Sequence, residues 1–119
     1  MRTIEEMHEL VDNILKGALR EVNAWGLQFE RNPAYALQNT QDVTFHAVVV
    51  EIAGRLRMML DDLNAEGDTD PAFLYKVISE EIEGYYKSAA IEVESGATPY
   101  RVQRMAAWRD VGLTWKRMR

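Results

Sequence analysis

The chain contains no cysteine, which removes disulfides, thiolate metal sites and cysteine nucleophiles from consideration. Histidine is almost as scarce. Only His8 and His46 are present, and neither sits in a serine–acid constellation suited to nucleophilic catalysis. Glycines number seven and are scattered, with no loop that could cradle a phosphate. Long apolar runs are missing too. The richest stretch, Val43–Leu60, is interrupted by His46, Glu51, Arg55 and Arg57, short of the roughly 18 apolar residues that a membrane helix needs. The first residues, Met-Arg-Thr-Ile-Glu-Glu, put acids where a signal peptide carries its apolar core. The expectation is a soluble, cytoplasmic protein with no membrane partner.

What remains is an acidic chain of ordinary globular composition, 47% apolar and 28% charged over 119 residues. That length suits one domain with a single core, burying roughly 65% of the unfolded surface. Only three prolines occur, and each stands at a break in an apolar pattern.

Thr3 and Glu6 match a capping box. Behind them Ile4, Met7, Val11, Ile14, Leu15, Ala18, Val22 and Trp25 recur at spacings of three and four, which predicts a helix over about 3–27. Asn32-Pro33 breaks it, leaving a long connection with room for one extra turn over Pro33–Gln38. Val43-Thr-Phe-His-Ala-Val-Val-Val is strand-like in composition, but apolar residues continue to Leu63 without a turn signal. A lone strand would have no partner, so a second helix is predicted over 41–65. Its Ala47, Val50 and Gly54 form a small-residue face open to close approach by another backbone. Asp70-Pro71 starts a third helix over 71–95, with Gly96 suited to a left-handed cap. Thr98-Pro99 starts a fourth over 99–113, weakened at Gly112 and followed by a basic tail over 114–119. The expected architecture is an all-α, four-helix bundle-like single domain with long helices. Its apolar surplus, with Trp25 and Phe29 near the end of the first helix, suggests closure as a homodimer.

Motifs for chemistry are incomplete. Glu5-x-x-His8 has the spacing used in di-iron bundles, but that chemistry needs a second such step and two more inward glutamates. His46 is read instead as a core or interface histidine with one hydrogen-bonded nitrogen. Glu6-x-x-Glu9 and Glu80-x-x-Glu83 are similar to half of the acid pattern by which the all-helical MazG-like nucleotide pyrophosphatases bind Mg²⁺. No usable Glu-x-x-Asp completes it, and Lys76 and Lys87 stand at four-residue spacings that read as solvated ion pairs. No family is assigned, and no catalytic residue, cofactor or metal is expected.

Charge carries the stronger signal. Residues 1–96 hold 8 basic against 18 acidic side chains, whereas residues 97–119 hold 6 against 1. The basic segment mixes Arg101, Arg104, Arg109, Lys116, Arg117 and Arg119 with Trp108 and Trp115, the composition of binding hot spots. Arg104 stands four residues before Trp108, within reach of the indole face. Glu80, Glu83, Glu92 and Glu94 on the third helix, with Asp61, Asp62, Glu66, Asp68 and Asp70 before it, offer an acidic face. The leading expectation is a non-enzymatic adaptor or inhibitor that binds a protein partner, of the kind common among small regulators and phage- or mobile-element proteins. The alternative is a nucleic-acid-associated protein using the basic C-terminal helix, opposed by the acidic body. Third comes a small all-α Mg-dependent nucleotide hydrolase.

Overall fold

The computed structural model describes residues 3–67 and 70–117, and all its regular structure is helical: α1 (Ile4–Arg31), α2 (Pro33–Gln38), α3 (Thr40–Ala65), α4 (Pro71–Ser95) and α5 (Pro99–Lys116). Local chemistry sets most boundaries. The Thr3–Glu6 capping box closes reciprocally, with Glu6 N donating to Thr3 Oγ1 at 3.2 Å and Thr3 N donating to Glu6 Oε1 at 3.3 Å. Asp70 and Thr98 cap α4 and α5, accepting from Ala72 N at 3.1 Å and Arg101 N at 3.2 Å. Pro33, Pro71 and Pro99 each occupy the first position of a helix, where the missing N–H costs nothing.

Three boundaries differ from the sequence reading. α1 continues past residue 27 to Arg31, because only Pro33 stops it. Asn32, the residue before that proline, is forced out of the helical region to φ −136° and ψ 65°. α5 runs through Gly112 to Lys116, so Thr114, Trp115 and Lys116 are helical rather than tail. Gly96 is not a left-handed cap: its φ of 168° is extended backbone, a conformation that leads straight into the Thr98-Pro99 start. Gly67 is the left-handed residue instead, with φ 89°, one step beyond the α3 cap residue Glu66. Asp68 and residues 118–119, including Arg119, lie outside the described residues.

The helices pack in the order α1–α3–α5–α4, with α2 folded against α1. This side-by-side order gives extents of 49 × 33 × 23 Å and a radius of gyration of 15.8 Å, above the roughly 13.5 Å usual for this length. α3 is central and buries Val48, Val49, Ile52, Ala53, Leu56 and Leu60. The opposite face holds Ala47, Val50 and Gly54, all half-buried. A Cβ on Gly54 would meet nothing within 4 Å, so no backbone makes the close approach expected there. A close contact does occur at Gly112, but with a side chain: a Cβ there would stand 3.2 Å from Ile82 Cγ2 of α4. No helix among the described residues is long and apolar enough to cross a membrane.

Candidate protein-binding groove between α4 and α5

The α4–α5 seam is built on two parallel aromatic pairs. Trp108 stacks on Tyr85 with centroids 4.8 Å apart and planes 9° from parallel, and Trp115 stacks on Tyr75 at 5.5 Å and 12°. Positions 108 and 115 are two turns apart on α5, so both indoles project from one face. Trp115 Nε1 donates to Ser79 Oγ at 2.9 Å, and Ser79 Oγ donates to Tyr75 O at 2.6 Å. The buried indole N–H therefore has its partner. Arg55 of α3 adds a third layer: its guanidinium sits 4.4 Å above the Tyr85 ring and bonds Glu81 Oε1 at 3.2 Å.

These contacts divide the residues expected at a partner surface. Trp108 and Trp115 are 4% and 1% exposed; both belong to the chain's own core, so neither is a free anchor. Arg104 does not lie on Trp108, because Tyr85 already covers that ring. It pairs with Glu92 at 2.9 Å. Arg101 turns back onto the helix junction, donating to Gly96 O at 3.1 Å. The side chains of Arg109, Lys116 and Arg117 are exposed and hold no ion pair or hydrogen bond among the described residues. The basic segment is thus half internal strut and half free surface.

The acidic set divides in the same way. Glu92 is taken by Arg104, and Glu83 pairs with Lys87 at 3.0 Å. The Lys87 bond and charge, with a further contribution from Lys116, hold the Glu83 carboxyl below the usual glutamate range. Glu80 and Glu94 are exposed without ion pairs among the described residues. Glu6, Glu9, Glu80 and Glu83 do not converge into a ligand group: α1 and α4 stand at opposite ends of the helix order.

A groove of about 710 Å³ runs along this seam. Its floor is Ile82, Gly112 and the edges of Trp108 and Trp115, with Tyr86 and Leu113 at the sides. Lys76, Glu80 and Glu83 line one rim, Arg109 and Lys116 the other. An apolar floor between charged rims can take an apolar side-chain row and hold acidic or basic groups beside it.

At the other end of the molecule, Trp25 stacks on Tyr35 at 5.9 Å, and its Nε1 donates to Asp42 Oδ2 at 2.6 Å. Trp25 is thereby half-buried within its own chain, while Phe29 is 37% exposed beyond the start of α3. His46 Nδ1 lies 2.9 Å from Asp42 O. His8 lies 3.8 Å from Asp61, away from any Glu5-centred ligand set. Glu21, Asp42 and His46 do come together, with one ligand atom from each within 4.8 Å of the others. The sequence offered one signal for this, the four-residue step from Asp42 to His46. The cross-helix Glu21 had none. Comparison with protein-family models, curated proteins and solved structures finds no match.

Proposed function

We propose that the protein is a non-enzymatic binding module. The chain acts as one bundle-like helical domain that captures a segment of a protein partner along the α4–α5 groove. The observation that carries this is the pairing of an apolar groove floor with the free cations Arg109 and Lys116 on its rim. An amphipathic helix with an acidic edge fits such a groove: its apolar row covers Tyr86 and Leu113 while its carboxylates meet the two cations. Rim charges of this kind govern encounter rate and specificity more than total affinity.

The decisive experiment compares baits in lysate, with and without nuclease, from cells where the protein is native. Wild type retains a protein partner, and Arg109→Glu/Lys116→Glu loses it without a change in melting temperature. Retention that the variant leaves intact removes the groove from the mechanism. Retention that disappears with nuclease and falls steeply with salt favours the nucleic-acid reading instead.

Self-association is favoured by a separate observation. Leu27, Phe29, Tyr35 and Leu37 are all exposed around the α1–α2 corner, more apolar surface than one short segment ordinarily leaves in water. A two-fold dimer through this corner doubles the mass in solution. A monomeric mass at high concentration overturns it.

A further inference from the structure

We propose that Glu21, Asp42 and His46 form a divalent transition-metal site, best suited to Zn²⁺, that clamps the end of α1 to the start of α3. Three observations carry it. First, the donor set is two carboxylates and an imidazole from two helices, their ligand atoms mutually within 4.8 Å. Zinc with bonds of about 2.0–2.2 Å spaces tetrahedral ligands by about 3.4 Å, so closure requires a movement of about 1 Å by side chains at an open surface. Second, no lysine or arginine neutralises the two carboxylates: neither Glu21 nor Asp42 has an ion pair with a lysine or arginine among the described residues. Two such acids converging beside a histidine leave a local negative charge that a cation relieves.

Third, the surroundings already orient the ligands. Trp25 Nε1 donates to Asp42 Oδ2 at 2.6 Å, and His46 Nδ1 lies 3.6 Å from the same oxygen, so the carboxylate is held beside the imidazole. His46 Nδ1 also sits 2.9 Å from Asp42 O, a contact that fixes the orientation of the ring. Ligating histidines and carboxylates are commonly held by such outer contacts. An imidazole in the set selects zinc and its transition-metal neighbours over Mg²⁺ and Ca²⁺. The fourth position, open to water, completes the tetrahedron.

The ion would also fix what hangs on Asp42. Trp25 bonds Asp42 and stacks on Tyr35 of α2, so metal at Asp42 tightens the 32–39 connection against α1. The half-buried Trp25 indole becomes the reporter, since it touches a ligand directly while Trp108 and Trp115 lie at the α4–α5 seam.

The test is titration of the metal-free full chain with Zn²⁺, read by Trp25 fluorescence and by melting temperature, with Co²⁺ absorption as a geometry check. The expected result is a saturable fluorescence change and a rise of several °C in melting temperature at about 100-fold excess over Kd. Glu21→Gln and His46→Ala each weaken binding at least about tenfold, whereas His8→Ala leaves it unchanged. Trp25→Phe keeps the melting shift and loses the optical signal. Should His46→Ala fold poorly, Glu21→Gln on the exposed face of α1 decides alone. No saturable response up to about 1 mM Zn²⁺, affinity undiminished in Glu21→Gln, or loss of binding in His8→Ala overturns the site.

Discussion

The Trp108 indole lies parallel to the Tyr85 ring, 4.8 Å away and 9° from coplanar in tilt, and Arg55 covers the far face of the same tyrosine at 4.4 Å. Three helices meet in this one stack, α3 through the cation, α4 through the phenol and α5 through the indole. Parallel aromatic pairs add roughly 0.5–1.5 kcal/mol beyond the area they bury. The stack therefore fixes how α5 sits on α4, and with it the position of the groove rims.

Trp108→Ala removes the indole from a site that is 4% exposed and leaves a large cavity. The expected cost is about 3–5 kcal/mol, visible as a fall of many °C in melting temperature. Arg109→Ala, one residue on and exposed, changes stability by about 0.5 kcal/mol or less. Equal effects of the two substitutions would contradict the division of α5 into core and surface.

Ser79→Ala tests the polar half of the second aromatic pair. It strips the acceptor from Trp115 Nε1, which bonds Ser79 Oγ at 2.9 Å, inside a residue that is 1% exposed. An orphaned indole N–H costs about 1–3 kcal/mol. Thermal melts measure the loss, and Ser79→Thr, which keeps the hydroxyl, is expected to recover part of it.

How far these contacts could be foreseen depends on their range along the chain. The helix starts were legible because Thr3, Asp70 and Thr98 cap their own next residues, an interaction within three positions. The fate of Trp108 was not legible. Its indole could stack on Arg104 four residues away or on Tyr85 twenty-three residues away, and only packing of α4 on α5 decides between them. The same holds for the arginines. Arg104 and Arg109 look equivalent in sequence, yet one faces Glu92 across the seam and the other faces solvent. Glu21 was invisible as a ligand for the same reason, because its partners enter from another helix.

The Glu83–Lys87 pair gives a pH effect of defined sign. Lys87, chiefly through its hydrogen bond and charge, lowers the Glu83 carboxyl below its ordinary range, with a smaller contribution from Lys116. A carboxyl depressed in the folded state contributes stability that is present above its unfolded titration range. That contribution is lost as pH falls through the folded value. Because both partners are exposed, the effect is small and screened by salt. Carboxyl NMR titration should find Glu83 below the usual glutamate range, and Lys87→Met should return it upward. A Glu83 titration unmoved by Lys87→Met would show that the pair does not form in solution.

Gly112 lets α5 pack closely on α4: a Cβ there would stand only 3.2 Å from Ile82 Cγ2. Two effects oppose each other when it is replaced. Alanine gains about 1 kcal/mol of helix propensity over glycine, but its methyl group must push Ile82 back by a few tenths of an ångström. Valine adds two more methyls' worth of bulk at the same spot and is expected to destabilise by about 1–3 kcal/mol. The cause is separable by a double-mutant cycle. Ile82→Ala alone costs about 2–5 kcal/mol as a core truncation, yet in the Gly112→Val background it relieves the clash. The combined loss should therefore fall short of the sum by about 1 kcal/mol or more. Strict additivity would mean that the two residues do not touch, and that the groove floor is wider than the structure has it.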